Sequence, residues 1–204
     1  MRIVGLTGSI GMGKSAIAAM LRARGVPVFD ADQEVHRLYE GDAVPKVEAA
    51  FPGTTADGRV DRTRLAASLA RDPARFRELE QIVHPLVRRA EQAFLDEITK
   101  WGGPIAVLEI PLLYETGLDA HVDQVVVVSA PPEVQRERVL ARPGMTAARL
   151  DALLERQLPD AEKRRRADFV VDTGGTLADS EAQVDAILDA LQSRPAEAYA
   201  RHWR

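Results

Sequence analysis

A strand, a glycine-rich turn and a helix stand in immediate succession at the start of this chain, and no other stretch restricts the fold as strongly. Arg2-Ile3-Val4-Gly5-Leu6-Thr7 reads as a short apolar strand, Gly8-Ser9-Ile10-Gly11-Met12-Gly13-Lys14-Ser15 as the turn, and Ala16 to Leu21 as the opening of a helix. The turn is the full G-x-x-x-x-G-K-[ST] pattern in the strand-to-helix setting that gives it meaning. Backbone N–H groups of such a turn wrap a polyphosphate, and the helix N-terminus adds a favourable dipole. The pattern predicts a nucleoside triphosphate site made by Gly8, Gly11, Met12, Gly13, Lys14, Ser15 and Ala16. Lys14 is expected on the β- and γ-phosphates and the Ser15 hydroxyl on Mg²⁺.

The rest of the chain repeats the strand-and-helix theme. Apolar runs at Ile3 to Leu6, Val26 to Phe29, Ile105 to Leu108, Val125 to Val128 and Phe169 to Val171 are continuous rather than alternating. Strands covered by helices on both faces have that pattern. Helical stretches separate them: Lys14 to Arg24, Ala31 to Tyr39, Pro73 to Lys100, Pro132 to about Arg142, and Leu177 to Leu191. The alternation predicts an α/β fold with a doubly wound parallel sheet. Its core spans about 1–40, 101–137 and 167–192. Gly41 to Asp72 has turn signals and no clear strand. Together with the long helix after it, that stretch predicts a helical substrate-binding insertion at about 41–100. An arginine-dense stretch around Pro143-Gly144 predicts a mobile lid at about 138–166, and Ser193 to Arg204 reads as a loose end.

Composition removes several classes. There are no cysteines, which excludes disulfides, thiolate nucleophiles and cysteine-based zinc sites. A net charge of −4 gives no global basic field for nucleic acid. No window of about 18 unbroken apolar residues suggests a membrane span, and no cleavable leader is visible. A soluble cytoplasmic protein, monomeric or a small homo-oligomer, is the expectation. The chain has no asparagine, which argues against a guanine-reading switch built on Asn-Lys-x-Asp.

Carboxylates follow two of the predicted strands. Ligands of open parallel sheets sit outside the carboxyl ends of the strands. Asp30 and Asp32 stand at such a place, where one can take the proton of an attacking hydroxyl and either can hold Mg²⁺ through water. The alternative is that one of them caps the following helix. Glu109 ends the third run, where an acid can hold the water shell of Mg²⁺. His84-Pro85 lies inside the long helical stretch; His84 reads either as a ligand-facing group at a bend or as a satisfied histidine at a kink. His36, His121 and His202 read as surface or loop residues. Arg138 and Arg142 are the first choices for a lid arginine that meets the charge developing on a transferred phosphoryl group. Arg164-Arg165-Arg166 reads as solvent-facing or as a helix C-terminal charge set.

Taken in order, these segments resemble the dephospho-CoA kinase family. The markers are Gly5-Leu6-Thr7-Gly8 through Lys14-Ser15, Phe29-Asp30-Ala31-Asp32, Leu79 to His84-Pro85, Pro111-Leu112-Leu113-Tyr114-Glu115, Arg156-Gln157-Leu158-Pro159, Glu162-Lys163 and Ala167 to Asp172. The resemblance implies a P-loop NTPase core with an acceptor-binding helical part and a lid. It implies transfer of the ATP γ-phosphate to the 3′-hydroxyl of the dephospho-CoA ribose, with Asp32 as base and His84, Pro111 and Leu112 on the acceptor side. Family members usually carry Asp where Glu109 stands, Asn where Thr173 stands, Arg where Leu153 stands and Ser where Met12 stands. Another nucleoside or nucleotide P-loop kinase is the alternative reading.

Overall fold

The computed structural model describes residues Met1–Arg204. The chain begins with β1 (Arg2–Thr7), α1 (Lys14–Ala23), β2 (Val28–Asp30) and α2 (Ala31–Leu38). It continues through α3 (Val44–Ala50), β3 (Thr55–Ala56), β4 (Arg59–Val60), α4 (Arg62–Arg71) and α5 (Phe76–Lys100). Next come β5 (Ile105–Glu109), β6 (Gln124–Ser129), α6 (Pro132–Leu140), α7 (Ala147–Leu154) and α8 (Asp160–Arg166). The last elements are β7 (Phe169–Asp172), α9 (Leu177–Leu191) and α10 (Ala198–His202). Two compact units result: Met1–Phe29 with Glu97–Arg204, and Asp30–Asp96.

The first unit is built on a five-stranded sheet in the order β2-β5-β1-β6-β7. β1 runs parallel to β5 and β6, and β6 parallel to β7. Every residue of β1, β5 and β6 is buried, which is why their sequences are apolar without alternation. Val4, Leu6, Val126 and Val171 from the sheet pack with Ile17, Ala18 and Leu21 of α1 and Val184 and Leu191 of α9. α9 starts at a capping box in which Thr176 Oγ1 accepts the Asp179 N–H at 3.1 Å and Asp179 Oδ2 accepts the Thr176 N–H at 2.9 Å.

The carboxyl-terminal tail is not loose. Trp203 is buried, and its indole N–H donates to the His121 carbonyl at 2.8 Å. Asp123 Oδ1 accepts the Glu197 and Ala198 N–H groups at 2.6 and 2.7 Å, while its Oδ2 accepts the Ile3 N–H at 2.8 Å. His202, exposed as expected, meets the partly buried His121 edge-on, ring centroids 4.8 Å apart. Periodicity could not show this, because the tail is held by one large anchor and a carboxylate and not by a repeating face.

The second unit has its own core of Leu38, Ala43, Val47, Phe51, Val60, Leu65, Leu69 and Leu86. The stretch expected to lack a strand contains a small antiparallel hairpin, in which Thr55 pairs with Val60 and Ala56 with Arg59 around Asp57-Gly58. Two-residue strands are too short to show an alternation. Asp61 caps α4, accepting from Thr63 and Arg64, and Asp72 accepts from Ala74 just before α5. α5 continues unbroken through Pro85.

Candidate active site

The glycine-rich segment leaves the carboxyl end of β1 and enters α1, with Gly13 as N-cap at φ 91°. β1 lies between β5 and β6, where the strand order reverses, so the turn sits at the sheet's switch point. Two of its glycines are required by contacts. A Cβ on Gly8 would stand 2.4 Å from the Val128 carbonyl oxygen, and one on Gly11 would stand 2.4 Å from Val139 Cγ2. Both residues also have positive φ, 153° and 79°. The loop is therefore pressed against β6 and α6, and its backbone is free to face a ligand on the other side. The Gly11, Gly13 and Ser15 N–H groups donate to no group of the chain.

Met12 is an anchor within the loop. Its side chain is buried, and its sulfur accepts the Ala130 N–H at 3.1 Å. Its carbonyl accepts the Thr173 hydroxyl at 2.8 Å. Thr173 in turn receives Arg138, whose Nη1 donates to Oγ1 at 2.9 Å and whose Nη2 donates to the Thr173 carbonyl at 2.7 Å. Arg138 is thus committed to the strand-end loop beside the phosphate loop, whereas Arg142 is exposed.

Glu109 ends β5 and pairs in register with Leu6 one strand over, which sets a buried carboxylate near the start of the loop. Thr7 Oγ1 donates to the Pro111 carbonyl at 3.1 Å and fixes the turn that carries Pro111 and Leu112. Glu115 closes that turn. Lys163, fully buried, pairs with Glu115 Oε1 at 2.9 Å, and the Leu158 N–H donates to the same oxygen at 2.7 Å. Burial alone pushes the Glu115 carboxyl up, but the Lys163 ammonium and the Leu158 N–H more than reverse it and hold it below the usual carboxylate range. Ser129 Oγ donates to Asp160 Oδ2 at 2.8 Å, a second tie on the same segment. Arg164, Arg165 and Arg166 are exposed in the last turn of α8, and Arg166 also bonds Asp119 Oδ2 at 2.8 Å and lies over the Tyr114 ring at 4.2 Å.

Three sequence candidates, Asp30, Asp32 and His84, belong to the second unit. Asp30 Oδ1 accepts the Gln33 N–H at 2.9 Å and caps α2. Asp32, on the first turn of α2, is exposed, and its carboxylate bonds to nothing in the chain. His84 is exposed on α5. Farther along that helix, Glu91 is 2% exposed with its Oε2 3.8 Å from Arg88 Nη1. Burial pushes its carboxyl up to about 7, although Arg88 pulls the other way.

Sequence reasoning passed over Gln135 as a site residue and took Gln157 only as a family marker. Gln135 Nε2 donates to the Ile10 carbonyl at 2.7 Å, and Gln157 Oε1 accepts the Ile10 N–H at 3.2 Å. Each lies more than a hundred residues from Ile10 in the chain, and neither carries a local signal.

Comparison with known proteins bears on the whole chain. A family model described as dephospho-CoA kinase matches residues 2–179. The chain is 57% identical over 195 residues to a Rhodopseudomonas palustris (strain HaA2) dephospho-CoA kinase, covering 96% of this chain and 98% of that one. Among solved structures, TT1252 from Thermus thermophilus superimposes with a TM-score of 0.81 at 39% identity, covering 93% of this chain and 97% of that one. The dephospho-CoA kinase from Campylobacter jejuni shares the fold, with a TM-score of 0.63 at 22% identity over 93% and 97% of the two chains.

Proposed function

The chain belongs to the dephospho-CoA kinase family, whose members use ATP to phosphorylate dephospho-CoA, and from that premise we propose which residues carry each part of the reaction. It transfers the ATP γ-phosphate to the 3′-hydroxyl of the dephospho-CoA ribose, giving coenzyme A and ADP. The phosphate loop at the switch point of the sheet carries this reading.

In our assignment the N–H groups of Gly11, Gly13 and Ser15 face the triphosphate, and Lys14 neutralises its outer phosphates. The 3′-oxygen attacks the γ-phosphorus, the bond from that phosphorus to the bridging oxygen of ADP breaks, and Asp32 takes the hydroxyl proton. What supports Asp32 is its place two residues beyond β2 and an exposed carboxylate with no competing partner in the chain. Asp30 is already spent on its helix cap. The residues assigned to the acceptor are His84, exposed on α5, and Pro111 and Leu112 on the turn after β5. Residues 138–166 act as a lid. Arg142 is the arginine that meets the transferring phosphate, and Arg138 holds Thr173 beside the loop.

The Ser15 hydroxyl and the Glu109 carboxylate in the first unit form an oxygen donor set. It suits Mg²⁺, which keeps several waters and binds mainly to substrate phosphates. Ser15 would hold the ion directly and Glu109 through water. When bound, Mg²⁺ supplies charge neutralisation to the phosphates. A cytoplasmic, monomeric or small homo-oligomeric enzyme acting on ATP and dephospho-CoA completes the reading. No helix is long and apolar enough to cross a membrane.

The test is a coupled ADP-release assay with dephospho-CoA, adenosine, AMP and shikimate as acceptors. Strong preference for dephospho-CoA is expected; preference for any other acceptor overturns the assignment.

A further inference from the structure

We propose that Gln135 and Gln157 are positioning residues that set the receptive conformation of the phosphate loop and tie it to the segment returning from the lid. The proposal rests on the reading of this loop as the ATP site, and all the residues concerned lie in the first unit.

The argument is one of peptide planes. No peptide bond in the chain is cis, and in a trans peptide the carbonyl of one residue and the N–H of the next point in opposite directions. The Ser9–Ile10 peptide is held at both ends. Its N–H goes to Gln157 Oε1 at 3.2 Å, and its carbonyl accepts the Met12 N–H at 3.2 Å across the loop. The Ile10–Gly11 peptide is held at one end, because Gln135 Nε2 draws the Ile10 carbonyl toward α6 at 2.7 Å. The Gly11 N–H must then point away from α6, and it has no acceptor in the chain. Gly11 is glycine at φ 79°, where a rotation of this peptide meets little steric resistance. Without the clamp, the Ile10 carbonyl can swing into the place where phosphate oxygens bind, so that an acceptor replaces a donor.

The two glutamines differ in what stands behind them. Gln135 is buried on α6. Gln157 lies between α7 and α8, and the residues after it are fastened to the sheet: Leu158 and Lys163 to Glu115, Asp160 to Ser129. Gln157 is therefore the last residue of the returning segment before a fixed anchor, and it touches the loop directly. Movement of α7 reaches the Ile10 N–H through this carboxamide. Gln157 and Gln135 are assigned no contact with the reacting atoms; they act through the backbone of Ile10 and Gly11.

The experiment uses the full chain with Gln135→Met and Gln157→Met, which keep side-chain length and remove the hydrogen bond. ATP affinity is measured directly, without acceptor, by displacement of a fluescent ATP analogue; steady-state kinetics give KM for each substrate. A neutral hydrogen bond of this kind corresponds to a loss of about five- to tenfold in ATP affinity. That loss is expected in both variants, with the KM for dephospho-CoA within about twofold of the parent, since no acceptor contact is altered. In ¹H–¹⁵N spectra the ATP-induced shift of the Gly11 amide should shrink in Gln135→Met. Hydrogen exchange at Ile10 should quicken in Gln157→Met and return to the parent rate in Gln157→Glu, which keeps the accepting oxygen. ATP affinity within twofold of the parent in both variants overturns the proposal, and so does an unchanged Gly11 shift. If the buried Gln135→Met fails to fold, the half-buried Gln157 pair of variants decides alone. A parent that binds ATP but does not phosphorylate dephospho-CoA would sink the acceptor assignment and leave this clamp intact.

Discussion

Thr173 Oγ1 donates to the carbonyl of Met12 at 2.8 Å, so the loop after β7 holds the middle of the phosphate loop. The threonine hydroxyl also receives Arg138, which makes one small side chain the junction of three segments: the phosphate loop, α6 and the end of β7. Thr173→Val keeps the shape and deletes the hydroxyl. Leaving the buried Met12 carbonyl and the guanidinium short of a partner costs about 1–3 kcal/mol. The expected outcome is a raised KM for ATP and a lowered unfolding midpoint, with Thr173→Ser restoring both. Parent-like ATP kinetics in Thr173→Val would show that the junction is dispensable.

Asp32→Asn removes the proton acceptor and keeps the size of the side chain. General-base catalysis is worth about 10²- to 10⁴-fold, so kcat should fall by at least about a hundredfold while the KM for ATP stays near the parent value. A kcat within about threefold, less than about 1 kcal/mol of barrier, removes Asp32 from the proposed role.

Glu91 makes stability depend on pH. Its folded carboxyl titrates at about 7, above its ordinary value of 4.5. The folded state therefore binds more protons than the unfolded state between these values, and stability is lost as pH rises through about 7. The effect is of order 3 kcal/mol at most across that window. Urea unfolding at pH 5 and pH 8 should show the parent losing more stability than Glu91→Gln, with the variant the more stable of the two at pH 8. Parallel pH profiles would refute the buried, proton-binding state of Glu91.

Trp203→Ala tests the docked tail. Removing a buried tryptophan costs about 3–5 kcal/mol, a fall in thermal midpoint of roughly 6 °C or more for a chain of this size. Calorimetry of Trp203→Ala and of a chain ending at Gln192 should give similar losses. A midpoint within 2 °C of the parent in both would mean the tail contributes nothing.

Some parts of this molecule were legible because a local rule governs them. α9 was readable from Leu177 to Leu191, since its apolar face repeats at helical spacing with acidic residues opposite. The buried strands were readable because a parallel sheet covered on both faces is apolar through the middle of each strand and leaves polar residues only at the strand ends. The phosphate loop was readable because its glycines answer to contacts that only glycine permits. The hairpin of β3 and β4 escaped because two residues a side cannot show a period. The tail escaped because Trp203 and Asp123 act singly. The Arg164-Arg165-Arg166 charge set was legible as the exposed last turn of a helix, but its pairing with Asp119 and Tyr114 was not, because a triple arginine looks the same whether or not they lie beside it.

What the sequence determined by itself was the set of elements and the triphosphate-binding turn, since strand burial, helix capping and glycine geometry are properties of neighbouring residues. The tertiary structure decided which side chains control that turn. Gln135, Gln157 and Thr173 reach it, with Arg138 bonded to Thr173, only when α6, β7 and the segment after α7 are folded against β1 and α1. Hydrogen bonds across more than a hundred residues depend on the packing of the sheet and leave no trace in local pattern.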